Sequence, residues 1–357
     1  MVGRWHPIVT LSRCAAISAM AAPTLSRLRV VSYNVHAFRD SGHLDNFERL
    51  VKVLKAVDAD VICLNECLHP YAADRSFATA RDRDEYFEAV REGRGRGRPA
   101  PLSSPSESYL ERLVKALGMS HLVFGQAECD LCSFGEIPFG SAICSRVPVV
   151  SARTLAMRST PEDAKLGGQP REVAESRGAV WVTLRLGAGH LVVATTHLDH
   201  KAEELRLKQM STCLDALQPD AEIADLGALI CGDFNTFQKI DHTDDDWIWI
   251  RELYSSNGWP APDERSLVLD HLHDCGFHDA HALLRGDNTA LPQLTCWTHR
   301  PVFRIDHCLV SDTLRRRCEV LGYRRLDTAA SDHFPLVIDL EISPPAADDG
   351  DTSSTAE

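Results

Sequence analysis

The segment Leu229-Ile-Cys-Gly-Asp-Phe-Asn235 joins a short apolar run to a glycine and to two polar side chains, Asp233 and Asn235. A short apolar run that ends in this way is typical of a strand buried on both faces of a sheet. Asp233 and Asn235 therefore come where the strand leaves the core. In layered α/β folds, ligands bind at such strand ends.

The same arrangement recurs along the chain, because several other predicted strands carry small polar groups at one end. An acid, an amide or a histidine follows or flanks an apolar run at each of Asn34, Glu66, His197, Asp306, Asp332 and His333. If these strand ends converge, they form one cluster of acids, histidines and amides.

Such a cluster needs a cation, because carboxylates held together in a partly dry cleft repel one another. Carboxylate and amide oxygens are hard ligands that suit Mg²⁺ or Mn²⁺ better than zinc. The pattern predicts a Mg²⁺ site, with Mn²⁺ as the alternative ion.

Helical and strand periodicities alternate between the two ends of the chain. Apolar residues recur at helical spacing over 47–57, 109–117 and 201–217, and Pro219 is expected to end the third helix. Val180–Leu186 and Leu191–Thr195 predict a hairpin. Hairpins mixed with strand–helix units indicate an α/β (α+β) fold in which sheet packs on sheet and helices cover the outside.

The folded domain is predicted at 28–342, with a flexible insertion inside it and a further segment on either side. Residues 1–27 contain arginines and no acid, so they are either a mitochondrial transit peptide or a flexible extension without targeting value. Residues 71–106 are rich in Arg, Gly, Pro and Ser and predict a flexible insertion, and residues 343–357 predict a disordered tail. Asp241–Asp246 is expected to be a solvated acidic loop.

Composition narrows the class of protein. The 357 residues carry 38 basic and 51 acidic side chains, a formal net charge of −13, which disfavours non-specific binding to long duplexes. No run of about 18 apolar residues occurs, so a membrane span is not expected. Several of the 12 cysteines lie inside apolar runs, which favours a soluble protein in a reducing, intracellular compartment, cytoplasmic or nuclear.

Seven short motifs, in this order, resemble the signature of the endonuclease/exonuclease/phosphatase superfamily over roughly residues 28–342. They are Ser32-Tyr-Asn34, Leu64-Asn-Glu66, Gly140-Ser-Ala-Ile-Cys-Ser-Arg146, Thr196-His-Leu198, Gly232-Asp-Phe-Asn235, Arg304-Ile-Asp306 and Ser331-Asp-His-Phe-Pro335. The resemblance implies a four-layer α/β/β/α sandwich of two mixed sheets flanked by helices. It also implies a Mg²⁺-dependent phosphoester hydrolase that uses in-line attack by water.

The resemblance further implies roles for individual residues. Glu66 would be the principal metal ligand, with Asn34 beside it and Asp332 completing the metal side. Asp233 would orient or deprotonate water, and Asn235 would hold a phosphate oxygen together with Asn34. His333, oriented by Asp306, and His197 on the opposite flank would contact the phosphate.

Two further positions bear on substrate binding. Arg177, expected in a loop before a strand, could reach a phosphate or form a surface salt bridge. His36 stands where several relatives carry an acid, which leaves a second metal position open.

Departures from the family motifs narrow the substrate class. Cys231 and Thr236 replace residues typical of inositol phosphatases, and Asn65-Glu66-Cys67-Leu68 differs from the apurinic-endonuclease motif. We therefore predict a phosphodiesterase or nuclease acting on nucleic acid or a nucleotide. A lipid or inositol phosphate phosphoesterase, and a catalytically idle binding scaffold, are the alternatives.

Overall fold

The computed structural model of the chain describes residues 27–42, 44–69, 107–132, 135–166, 175–187, 189–285 and 293–343. The predicted insertion at 71–106 lies outside these ranges, as do residues 1–26 and 344–357 of the predicted extension and tail. Arg27, assigned above to the extension, is instead the first residue of a strand.

The described residues form twelve strands, numbered in chain order. They are β1 Arg27–Asn34, β2 Val61–Leu68, β3 His121–Cys132, β4 Gly135–Ser145, β5 Val149–Met157, β6 Arg177–Leu186, β7 Gly189–His197, β8 Ala228–Asp233, β9 Phe277–Asp279, β10 Asp306–Ser311, β11 Cys318–Arg325 and β12 Leu336–Ile342.

Eight α-helices lie between these strands in the described part of the chain. They are α1 Phe47–Val57, α2 Tyr109–Leu117, α3 Pro161–Leu166, α4 Glu203–Ile223, α5 Asp244–Ser256, α6 Leu267–Asp274, α7 Ala280–Arg285 and α8 Asp312–Arg315. None of them combines the length and the apolarity that crossing a membrane requires.

The strands form two six-stranded mixed sheets, in the orders β11-β12-β1-β2-β4-β3 and β5-β6-β7-β8-β10-β9. Each sheet has a parallel pair at its centre, β1 with β2 and β7 with β8, and its other pairings are antiparallel. Helices α1 and α4 connect the strands of these parallel pairs. Each pair therefore directs two carboxyl ends toward the same edge of its sheet.

Side chains of the central strands are buried on both faces. In β1, Leu28 and Val30 belong to the core between the sheets, whereas Val31 and Tyr33 pack in a cluster with Leu50 of α1. A third cluster joins the outer face of the second sheet to α4 and α6. The predicted α/β/β/α sandwich is confirmed.

Helix α4 does not end at Pro219, contrary to the sequence prediction. It continues to Ile223 with the proline inside its last turns. The carboxylate of Asp220 accepts a hydrogen bond from Trp181 Nε1 at 2.8 Å and pairs with Arg153 Nε at 3.0 Å. These contacts with the sheet hold the last turn in place despite the local helix breaker.

Two other local predictions were wrong. The acidic run at 241–246 is not a loop throughout, because α5 begins at Asp244 after Thr243, whose side chain accepts from the backbone N–H of Asp246. Aspartates in the first turn of a helix are favoured by the helix dipole. Arg177 opens strand β6 instead of lying in the loop before it.

Candidate active site

The carboxyl ends of the two parallel pairs meet at one edge of the sandwich. His197 and Asp233 end the neighbouring strands β7 and β8 and are partners in register, and Asp306 of β10 faces Asp233 from the other side. Asn34 ends β1, with Glu66 near the end of β2. The strand ends that the sequence marked as polar therefore converge.

Asn34 joins the acids of the two sheets. Its fully buried Nδ2 donates to Glu66 Oε1 at 3.0 Å and to Asp233 Oδ2 at 2.9 Å. Its Oδ1 accepts from the backbone N–H of His36 at 2.9 Å, which fixes the direction of the amide. One side chain thus holds two carboxylates close together.

Asn65 is a second link between the sheets, and sequence reasoning assigned it no role. Its Nδ2 donates to Ser141 Oγ at 3.0 Å and to Thr195 Oγ1 at 3.3 Å, and its Oδ1 accepts from the backbone N–H of Asp233 at 3.0 Å. The sequence did contain a signal for Asn65, because it is an amide immediately before Glu66. Alternate residues of a strand point to opposite faces, and Asn65 falls on the face toward the other sheet.

The local sequence explains how Glu66 and Asp233 are presented. The register between β2 and β4 shifts between Leu64 and Cys67, and Glu66 there has a left-handed φ of 54°. Bulges of this kind redirect side chains beside active sites. Gly232 is required before Asp233, because a Cβ at this position would lie 2.1 Å from the carbonyl oxygen of Thr196.

Asn235 completes the turn after β8. Its φ of 52° lies in the left-handed region, where asparagine is tolerated better than most residues. Its backbone N–H donates to Asp233 Oδ1 at 3.0 Å, and its Nδ2 donates to the carbonyl of Leu198 at 3.0 Å. The turn therefore fixes the second oxygen of the Asp233 carboxylate.

His333 lies on the other side of Asp233 and is oriented by Asp306. Nδ1 of the imidazole is 2.8 Å from Asp306 Oδ2, and Nε2 is 3.5 Å from Asp233 Oδ2. Burial by itself lowers the pKa of His333, but Cys296, Asp306 and Asp233 outweigh burial and raise that pKa well above its usual value. His333 is therefore cationic at neutral pH.

His197 has the opposite electrostatic character. Its Nε2 lies 3.6 Å from Asp233 Oδ2 and 3.9 Å from Glu66 Oε1, and its Nδ1 lies 3.3 Å from Arg177 Nη1. Burial and the charge of Arg177 lower the pKa of His197 well below its usual value, so this imidazole is neutral at pH 7.

The pKa of the Asp233 carboxylate is strongly shifted. Burial, reinforced by Asp306 and Glu66 and opposed by His333 and Asn34, raises its pKa to about 7. A carboxylate with a pKa near neutrality is suited to accept a proton from water and to release it again.

Arg177 is nearly completely buried, and it forms a salt bridge with a carboxylate that is partly exposed. Its Nη2 pairs with Glu175 Oε2 at 2.7 Å and lies 3.2 Å from His200 Nδ1. Glu175 and His200 were not expected to belong to the site. They come into reach because β6 and β7 are neighbours in the sheet.

Asp332 is placed beside this cluster instead of within it. Its carboxylate accepts from Ser331 Oγ at 3.2 Å and lies 3.7 Å from Nδ1 of His36. Among the described residues, the groups close enough to share one ion are Glu66 with His197 and Asp233, and Asp233 with Asp306 and His333.

These donors fit a divalent cation. Glu66 and Asp233 supply hard oxygen ligands within 4.8 Å of each other and of a histidine nitrogen. Asp306 Oδ1 is buried and has no hydrogen-bond partner in the described part of the chain. A cation stabilises buried carboxylate oxygens that have too few hydrogen-bond donors around them.

The sequence and the fold of the chain are similar to those of known proteins. The sequence model of the Endonuclease/Exonuclease/phosphatase family matches residues 31–333, most of the chain. The chain belongs to this family. Members of the family are typically phosphoester hydrolases and commonly use divalent metal ions. No curated protein matches the sequence.

Solved structures of the family share the fold. An endonuclease/exonuclease/phosphatase from Beutenbergia cavernae is 21% identical with a TM-score of 0.60, and the match covers 89% of this chain and 72% of that one. The catalytic domain of human nocturnin with a bound sulfate anion is 18% identical, with a TM-score of 0.56 and coverages of 89% and 94%. A family protein from Leptotrichia buccalis is 14% identical, with a TM-score of 0.55 and coverages of 88% and 100%.

Proposed function

We propose that this member of the family is a Mg²⁺-dependent phosphodiesterase that hydrolyses a nucleic acid or nucleotide substrate by in-line attack of water. One observation carries the proposal. The buried carboxylate of Asp233 lies 3.6 Å from Nε2 of His197 and 3.5 Å from Nε2 of His333. Asp233, which can accept a proton, and His333, which can donate a hydrogen bond, therefore face the same small space.

The roles follow from the charges. Asp233 orients a water molecule and accepts its proton, which a carboxylate with a pKa near 7 does at neutral pH. His333, held by Asp306, donates a hydrogen bond to the phosphate oxygens, where negative charge develops in the transition state. His197 and Asn235 contact the phosphate from the flank next to Arg177.

A metal ion would be held by Glu66 with Asn34 beside it, and Asp332 would complete the metal side. When bound, Mg²⁺ neutralises charge on the phosphate and favours ionisation of water, and Mn²⁺ can substitute for it. The amide of Asn34 contributes by keeping the carboxylates of Glu66 and Asp233 at a short separation.

Hydrolysis of bis(p-nitrophenyl) phosphate tests the proposal directly. We expect turnover with Mg²⁺ and none with EDTA, and roughly 10²-fold or larger losses of kcat in Glu66→Gln and His333→Ala. Glu204→Gln and His190→Ala are the matched controls. Glu204 is exposed and His190 is half-buried, and both variants should retain the wild-type rate. Absence of metal-dependent turnover in the wild type would favour the idle-scaffold alternative.

A substrate panel separates the remaining alternatives. Abasic duplex, a 5′-tyrosyl oligonucleotide and poly(A) represent nucleic acid, whereas sphingomyelin and inositol polyphosphates represent the lipid and inositol phosphate classes. We expect hydrolysis within the first group. Faster hydrolysis of sphingomyelin or an inositol polyphosphate would refute the nucleic acid or nucleotide assignment.

We also propose that the protein works in a reducing, intracellular compartment. Seven of the described cysteines are buried free thiols, which is consistent with such a compartment. Imaging of the tagged full-length chain, with and without residues 1–26, would distinguish a cytoplasmic or nuclear location from a mitochondrial one.

A further inference from the structure

The cleft above the catalytic cluster has a second wall of different chemistry. The cleft has a volume of about 690 Å³, and the side chains that line it away from the acids are predominantly aromatic. We call this set the aromatic wall, and it consists of Phe237, Tyr254, Trp259, Trp297 and Phe303.

The wall includes residues of α5, the segment after it and the loop after β8, which also carries Asn235. Tyr254 comes from α5, Trp259 from the segment after it, and Phe237 from the loop after β8. Tyr254 packs edge-on against Trp259, with ring centroids 5.3 Å apart and ring planes at 87°, and Phe237 lies 6.0 Å from Tyr254. Tyr254 and Phe237 are buried, whereas Trp259 is half-buried and is among the residues that line the cleft.

The aromatic wall adjoins the phosphate end of the site. The imidazole of His200 contacts Trp259 edge-on at 5.3 Å, and its Nδ1 lies 3.2 Å from Arg177 Nη2. Arg177 in turn contacts His197, which lies next to Asp233. The contacts between Asp233 and Trp259 therefore run through His197, Arg177 and His200, all of which line the same cleft as a phosphate held at the catalytic cluster.

Size and charge indicate a compact ligand. The cleft volume lies within the range of roughly 300–1,000 Å³ that is typical of small-molecule sites. Among the described residues, its lining includes two arginines, Arg39 and Arg177, and no lysine, whereas a long duplex requires many cations along the phosphate backbone. Exposed aromatic rings bind planar groups by stacking, without regard to sequence.

We propose that the aromatic wall binds a planar aromatic substituent of the substrate, with Trp259 as the specificity-determining residue. The substrate is then a compact phosphate ester that carries a nucleobase or an aryl group next to the scissile phosphate. This inference rests on the proposed function for the position of the phosphate. It goes further by naming the chemistry that flanks that phosphate.

Calorimetric titration of the full chain with phosphate monoesters tests the inference without requiring turnover. We expect AMP to bind roughly 10- to 100-fold more tightly than ribose 5-phosphate, as stacking of one base predicts. Phenyl phosphate compared with methyl phosphate tests an aryl group in the same way, so the two pairs distinguish a nucleobase from an aryl substituent. Hexyl phosphate is apolar without being planar and should bind no better than methyl phosphate.

Variants at position 259 separate stacking from simple apolar contact. Trp259→Leu should reduce the preference for AMP to nearly 1-fold while leaving the affinity for ribose 5-phosphate unchanged, and Trp259→Phe should restore much of the preference. Trp249→Leu is the matched control, because this half-buried tryptophan contacts Trp297 and Phe303 of the wall but does not itself line the cleft. Thermal denaturation verifies that each variant is folded.

The outcomes distinguish the two proposals. A preference for planar ligands in a protein without phosphodiesterase activity would refute the proposed function and support the aromatic wall. Turnover without such a preference, or tight binding of hexyl phosphate, would overturn the role of Trp259. Stronger competition by a 20-base-pair duplex than by AMP would overturn the assignment of a compact substrate.

Discussion

A buried ion pair beneath the site allows a sharp prediction about stability. Glu203 begins α4, and its carboxylate accepts from Arg206 Nε at 2.7 Å. It also accepts from the hydroxyls of Thr236 and Ser266, at 2.8 and 3.1 Å. Because Thr236 follows Asn235 directly, this pair supports the loop that carries the catalytic amide.

Glu203→Gln removes the charge while preserving the shape, and it leaves Arg206 buried without its acid. Loss of one partner of a buried pair costs about 3–5 kcal/mol of unfolding free energy. Glu204→Gln is the matched control, because the neighbouring residue is exposed and its replacement should cost less than about 0.5 kcal/mol. Urea unfolding followed by fluorescence measures both values.

The double variant Glu203→Gln/Arg206→Gln identifies the origin of the cost. If the unpaired guanidinium is responsible, the double variant should be more stable than the sum of the two single losses predicts, by roughly 1–3 kcal/mol. Additive losses, or a Glu203→Gln variant as stable as Glu204→Gln, would refute the reasoning. In that case the three donors named around Glu203 would contribute no more than surface contacts.

Three further predictions concern the metal, the catalytic histidine and acid stability. Mg²⁺ at 100 times its dissociation constant should stabilise the wild type by about 2.7 kcal/mol in thermal melts, and Glu66→Gln should lose most of this gain. Asp306→Asn should lower kcat by roughly 10²-fold and move the alkaline limb of the rate profile to lower pH, because His333 then loses its proton more readily. Burial lowers the pKa of His307 and of His242 to about 4, so the contribution of these two histidines to stability should be complete above pH 6.5 and should fall as the pH drops toward 4. His307→Gln should flatten this fall in urea titrations.

Each of these predictions has a contradicting outcome. Equal stabilisation by Mg²⁺ in wild type and Glu66→Gln would place the ion elsewhere. An Asp306→Asn variant with lower kcat and an unchanged pH profile would indicate a purely structural role for Asp306. Acid stability that is the same in wild type and His307→Gln would show that this histidine does not control it.

The sequence sufficed for the fold because its signals were local. A strand buried on both faces requires a short apolar run, and a polar residue at its end is visible without knowledge of the partner strand. Gly232-Asp233-Phe-Asn235 is such a signal, because the glycine is needed for the close approach of Thr196 and the acid follows immediately. Residues of this kind could be recognised one motif at a time.

Features that depend on distant contacts were not predictable in this way. Pro219 read alone is a helix breaker, yet the contact of Asp220 with Trp181 on the sheet keeps the helix intact. Trp259 read alone is one tryptophan in a loop, and only packing against Tyr254 makes it part of a wall.

The amino-acid sequence by itself determined the central strands and the polar groups at their ends, because periodicity and local turns act over a few residues. Strands β4, β5, β9 and β11 were not predicted. The tertiary structure alone decided that Asn34 joins Glu66 to Asp233, and that Asn65 connects the sheets. These contacts span from 32 to 199 positions along the chain. The physical reason is that burial and charge in a shared cavity depend on which strand ends meet, and this is settled only when the two sheets pack together.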